Sequence, residues 1–177
     1  HLTGSKLRLA VVVPDVRVAD VAFNATQIQN AIGALKADKP DWIVFPRLCL
    51  TGASCGDLFR QKLLQTASLQ ALLDLVPLTA GMPSKVLLGL PLAIGDEVFE
   101  GVVLLNDGEV KALMVTDHPD SPALSSSARL PENAQIKLGD KLIFLTTCQP
   151  FRFGNVEFLL GHQQPTENEA DLLINLV

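Results

Sequence analysis

The sequence predicts an α/β domain, and three observations carry the prediction. A β-branched run at 7–13, a helical apolar pattern at 21–37 and a second buried run at 42–46 form a strand–helix–strand opening. A second helical pattern follows at 58–76. Three strand-like runs at 85–94, 98–105 and 109–115 are then separated by Gly95-Asp96 and Asn106-Asp107-Gly108, turn sequences suited to tight antiparallel hairpins.

Composition bounds the reading. At 177 residues the chain has the size of one domain, long enough to bury a real core. Hydrophobic residues make up 48%, and the mean hydropathy is positive, as in a sheet-rich globule. The net charge of −5, without a basic run, argues against nucleic acid or an anionic membrane as partner. No apolar stretch approaches the ~20 residues that a helix needs to span a bilayer. No secretory leader is expected ahead of the first strand. Cys49, Cys55 and Cys148 are odd in number and lack metal-ligand spacing, which fits a reducing cytoplasm better than a disulfide framework. Residues 1–6 open on His-Leu-Thr-Gly-Ser, the composition of a cloning remnant, and are expected to be disordered. Residues 7–177 are expected to form a single domain.

Each element has its own justification. The first strand, 7–13, closes at Pro14. Asp20 is placed to cap the first helix, and Ile28, Ile32 and Leu35 are spaced to line one face. Lys39, Pro40 and Asp41 stop that helix, and Trp42 to Pro46 reads as a buried strand ending in the small-residue loop around Gly52 to Gly56. In open α/β sheets, loops at strand carboxyl ends hold the chemistry. The second helix, or helix pair, places Leu63, Leu64, Leu69, Leu72, Leu73 and Val76 among its apolar positions and ends at Pro77, Gly81 and Pro83. Residues 116–140 are polar and rich in Pro and Ser, and no secondary structure is assigned there. Strand character returns at 141–147, 151–153 and 156–160, with a turn at Gly154-Asn155, and a last buried strand is expected at 171–177. Both helices are expected on one outer face.

The stretch Phe45-Pro46-Arg47-Leu48-Cys49-Leu50-Thr51-Gly52-Ala53-Ser54-Cys55-Gly56-Asp57-Leu58-Phe59 resembles the nitrilase (carbon–nitrogen hydrolase) superfamily. The likeness is closest to the glutaminase domain at the N-terminus of glutamine-dependent NAD synthetases. Residues 16–24 and the hairpin strands from 85 to 115 are also similar to that subfamily, and 151–177 more loosely. Where the family has an aromatic, this chain has Ala53. Where the family's second hairpin strand opens on an aromatic-Asn pair, this chain has Phe99-Glu100. The resemblance implies a four-layer αββα sandwich, shortened here relative to the family. No cofactor or metal is implied.

Family members hydrolyse an amide with a Cys nucleophile, a Glu base and a Lys that stabilises the oxyanion. The matching positions hold other residues. Arg47 stands where the family has its Glu, and a guanidinium has no lone pair with which to accept a proton. Thr116 or, with a one-residue slip, Asp117 stands at the Lys position. Leu159 or Leu160 stands at the Cys position, beyond Val156-Glu157-Phe158. No catalytic residue is therefore expected at these degenerate positions. A substitute nucleophile is conceivable in Cys49 or Cys55, since a cationic neighbour such as Arg47 favours a thiolate. The competing reading is that both thiols are packing residues. His162 has a pocket-facing and a solvated reading, of which the solvated one is preferred. His118 is assigned no role, and Cys148 is expected to be buried or at a turn. Arg47 has three candidate partners, Asp57, Glu100 and Asp117, and pairing with Glu100 would turn a catalytic cleft into a structural ion pair.

The expectation is a non-catalytic homologue, a pseudoenzyme of the amidase fold, acting as a structural or regulatory interaction module in the cytoplasm. Its expected partners are copies of itself, as a dimer or larger oligomer, and a separate NAD synthetase. The alternative is a glutaminase that supplies ammonia for NAD synthesis from a rearranged site.

Overall fold

The computed structural model describes residues 8–147 and the strands Phe151–Phe153 and Val156–Phe158. Chain order begins with β1 (Leu9–Val11), α1 (Val21–Leu35) and β2 (Trp42–Val44). A 3₁₀ turn, Gly56–Arg60, leads into α2 (Lys62–Leu75), and a second, Val76–Thr79, leaves it. The strands β3 (Lys85–Ile94), β4 (Glu97–Asn106) and β5 (Glu109–Val115) follow, then β6 (Gln135–Leu138) and β7 (Lys141–Thr147). The strands β8 (Phe151–Phe153) and β9 (Val156–Phe158) form a separate antiparallel pair.

One mixed sheet of seven strands holds the fold together, in the order β1-β2-β3-β4-β5-β7-β6. The pairs β1/β2, β2/β3 and β5/β7 are parallel, while β3/β4, β4/β5 and β6/β7 are antiparallel. The parallel half requires long crossovers, and α1 and α2 are those crossovers. The antiparallel half is built from two-residue turns. Gly95 takes a positive φ and Asp96 does not, the pattern of a type II′ turn. Asp107 and Gly108 both take positive φ, the pattern of type I′. Both turns match the right-handed twist of the strands they join.

The two faces of the sheet are distinct. On one, Ile28 and Ile32 of α1 and Leu64, Ala71, Leu72 and Leu75 of α2 pack into a single core with Ile43, Val86, Leu88, Val103 and Val115. Both helices therefore lie on the same face, as the sequence predicted. Each fully buried aliphatic side chain there contributes roughly 1.5–3 kcal/mol. The opposite face carries a smaller cluster of Leu9, Trp42, Leu87, Val102 and Met114. On β7 the alternation leaves Leu142 and Phe144 exposed.

The cap on α1 is made as expected: the Asp20 carboxylate accepts from the Phe23 amide at 3.1 Å. Several expectations need correction. The first helix ends at Leu35 rather than 37, with a turn over Lys36 to Lys39. Leu63 is 81% exposed, because the extended backbone of Gln61 separates the 3₁₀ turn from α2 and sets a different buried face. The polar segment 116–140 holds a strand, β6, whose turn to β7 at Gly139-Asp140 repeats the chemistry of Gly95-Asp96. The described residues hold one seven-stranded sheet and the separate β8/β9 pair, and a second large sheet is not among them. The expected strand at 171–177, together with Cys148 and the residues after Phe158, lies outside the described residues.

Candidate functional site

The loop after β2 is pinned on two sides. The Phe45 amide donates to the Leu87 carbonyl at 2.9 Å, and the Leu50 amide to the Gly89 carbonyl at 3.3 Å, so the loop lies against β3. From the other side the Asn24 side-chain amide donates to the Leu50 carbonyl at 3.1 Å. Asn24 is itself buried, and its remaining capacity is used on the Arg17 backbone. Between these anchors the chain turns sharply at Leu48, which takes φ of +52°. The Thr51 and Gly52 amides both donate to the Leu48 carbonyl, closing the corner. A side chain at Gly89 would strike the Leu48 backbone nitrogen, so a glycine is required where β3 passes beneath the corner.

The corner presents Arg47 to Glu100, near the start of β4. Its guanidinium meets Glu100 in a bidentate pair, Nε to Oε2 at 2.6 Å and Nη2 to Oε1 at 2.6 Å. The Glu100 side chain is 2% exposed and that of Arg47 22%. Nη2 also donates to the His118 carbonyl at 3.0 Å, and Nη1 lies 3.4 Å from Asp120 Oδ2. Planar fork-to-fork contact of this kind suits arginine and would not be reproduced by lysine.

The segment after β5 supplies the outer wall. The Thr116 amide donates to the Glu100 carbonyl at 3.1 Å, and the Ser125 amide to the Val98 carbonyl at 2.8 Å. Arg129 Nε reaches Glu97 Oε1 at 2.5 Å. This polar stretch is thus laid along the start of β4 by hydrogen bonds.

Of the residues singled out from sequence, the structure brings Arg47 and Thr116 together around Glu100. Thr116 is buried, and its hydroxyl oxygen accepts from the His118 amide at 3.4 Å. Asp117 is exposed and its carboxylate lies 3.5 Å from the His118 side chain. Leu159, Leu160 and His162 lie outside the described residues. Among the three partners weighed for Arg47, Glu100 is the one bound. Asp120 was missed, because its proximity depends on how the polar segment runs and no periodic pattern encodes that.

Both thiols are buried against backbone carbonyls. Cys49 Sγ lies 3.7 Å from the Gly89 carbonyl, and burial pushes its pKa up to about 12. Such a thiol is protonated at neutral pH. Cys55 Sγ donates to the Thr51 carbonyl at 3.2 Å. No cluster of metal-ligating side chains occurs among the described residues. No helix among them is long and apolar enough to cross a membrane.

A concavity of about 450 Å³ opens between the starts of the two helices. It is lined by Val18, Asp20, Val21, Leu58, Leu63 and Leu64, among others.

Comparison with known proteins agrees with this architecture. No family model matches the chain. Glutamine-dependent NAD(+) synthetases of Mycobacterium tuberculosis and Mycobacterium bovis are 31% identical over 104 residues, 59% of this chain. The chain spans about 15% of the length of these curated relatives. Among solved structures, a glutamine-dependent NAD(+) synthetase from Cytophaga hutchinsonii superposes with a TM-score of 0.70 at 20% identity, over 86% of this chain and 27% of that one. An amidase from Nesterenkonia gives 0.58 at 19% identity, over 82% of this chain and 56% of that one. A variant of the Nesterenkonia AN1 amidase, a nitrilase-superfamily protein, gives 0.59 at 18% identity, over 81% and 56%. The chain thus takes a nitrilase-like α/β fold over most of its length, and 104 of its residues are similar to a segment of glutamine-dependent NAD(+) synthetases.

Proposed function

We propose that the chain is a non-catalytic homologue of the glutaminase domain of glutamine-dependent NAD synthetase, serving as a structural or regulatory interaction module. The observation that carries the reading is Arg47, held by both Glu100 oxygens at the position where the family has its general base. A guanidinium cannot take a proton from a thiol, and this one is already committed to a buried carboxylate. Cys49, the thiol nearest in sequence, is buried with its pKa raised, which removes support for a rearranged nucleophile in this loop.

The same reading extends to assembly. The uncovered side chains of Leu142 and Phe144, at 64% and 59% exposure, continue the apolar second face of the sheet. In the proposed arrangement the fold is completed as a four-layer sandwich, Leu142 and Phe144 seat a neighbouring chain, and the chain works as a dimer or larger oligomer in the cytoplasm. A separate NAD synthetase is the proposed heterologous partner. Light scattering should find more than one chain per particle at micromolar concentration, and a stable monomer would remove the assembly.

The decisive experiment for catalysis is ammonia release from glutamine by the purified chain. Background activity is expected, unchanged in Arg47→Glu because no nucleophile stands ready. Turnover abolished by Cys49→Ala or Cys55→Ala would replace this reading with a glutaminase using the loop after β2.

A further inference from the structure

We infer that the start of β4 is a guanidinium-binding site and that Arg47 is its occupant in cis. The site is built from parts that belong to other elements. Glu100, 1% exposed, offers both carboxylate oxygens to the fork. The His118 main-chain carbonyl accepts from Nη2, which already donates to Glu100. Asp120 stands at the outer edge of the cradle, 3.4 Å from Nη1.

These acceptors are positioned without help from the arginine stem. Glu100 is fixed by β4, which is paired on both sides, to β3 through Pro91 and, one residue on, to β5 through Gly101 and Val115. The wall holding His118 and Asp120 is tied to the same strand at Glu100, Val98 and Glu97. The acceptors therefore form a receptor that should outlast loss of the occupant. Its ligand class is a monoalkylguanidinium, because planar bidentate donation distinguishes that ion from an ammonium of equal charge. Arg47 is also the solvent-side component of the pair, so a small ligand can enter where its side chain now lies. The inference stands whether or not the chain hydrolyses an amide.

The test is occupancy in trans. Arg47→Ala is titrated with methylguanidinium chloride by calorimetry and thermal unfolding, with methylammonium chloride as the equal-charge control. Saturable binding with a dissociation constant on the order of 1 mM is expected for methylguanidinium alone. At ~100 mM it should raise the folding equilibrium constant of the variant about 100-fold. The wild-type chain, already occupied, should show no such binding, and Arg47→Ala with Glu100→Gln should lose it. If Arg47→Ala does not fold, Arg47→Gln, which keeps much of the stem without the charge, is measured in the same way. Folding of either variant only when methylguanidinium is present would support the site. Equal responses to the two cations, absence of saturable binding in a folded variant, or failure of both variants to fold with the probe present would overturn it.

Discussion

Arg47 and Glu100, 53 residues apart in the chain, meet through two hydrogen bonds of 2.6 Å each. The pair is asymmetric: the carboxylate is sealed from water and the guanidinium is partly open. Removing one member therefore differs from removing both, since a lone buried carboxylate keeps its desolvation cost and loses its partner.

A double-mutant cycle reads this asymmetry. Arg47→Ala should destabilise by about 3 kcal/mol, and Glu100→Gln by about 1–2 kcal/mol, since it leaves the more exposed member behind. Arg47→Met with Glu100→Leu should fall within roughly 1 kcal/mol of wild type, because an apolar pair of similar volume carries no charge to desolvate. Urea denaturation of these variants, with each single change of the Met/Leu pair, gives the coupling. Simple additivity would show that the two residues do not act together.

Two glycines provide a matched comparison of backbone and side-chain collisions. A Cβ at Gly89 would meet the Leu48 backbone nitrogen, which the pinned loop cannot move. At Gly101 the first collision is with the Leu92 side chain, although the Leu90 carbonyl is also close. Gly89→Ala should cost about 3 kcal/mol or more, the upper end of overpacking, and Gly101→Ala visibly less. Thermal unfolding that ranked Gly101→Ala as the worse variant would contradict the pinned corner.

Cys49 gives a pH dependence with a definite sign. Burial raises its folded-state pKa from the ordinary thiol value of 9.0 to about 12, so above pH 9 the unfolded chain loses the thiol proton while the folded chain retains it. The thiol's contribution is complete below pH 9 and declines as pH rises toward 12, by at most about 1.4 kcal/mol per pH unit. The difference in urea midpoint between wild type and Cys49→Ala should shift against wild type over that window. A difference independent of pH from 8 to 11 would indicate an accessible thiol.

Much of this architecture could be read from residues, and the misses have physical causes. Gly95-Asp96 and Asp107-Gly108 encode their turns locally, so β3, β4 and β5 were placed to within a residue at every boundary. Asp20 announced the start of α1 for the same reason. β6 was overlooked because Gln135, Lys137 and their neighbours form a short edge strand, where only every second residue is buried and the hydrophobic signal is thin. Arg47 and Glu100 each looked anomalous alone, and a charge-complementary pairing between them was among the expectations. Asp120, by contrast, reaches the site only through a long irregular segment, and Gly89 matters because another backbone crosses it. Neither relationship leaves a periodic trace in sequence.

The primed turns have a kinetic consequence. The three strands they join need only short loops to close, whereas β1 and β2 must wait for the crossovers that bring them alongside β3. Gly89 and Glu100 both belong to the early, locally closed part, so the corner at Leu48 has nowhere to seat until that part exists. The Arg47–Glu100 pair is then a late latch, with little of its energy present in the folding transition state. Its loss should accelerate unfolding several-fold or more while leaving refolding nearly unchanged, which stopped-flow chevrons on Arg47→Ala would read directly. A refolding arm slowed as much as the unfolding arm is quickened would place the latch in the nucleus. As a late latch, the pair governs how long the native state lasts more than how quickly it is reached.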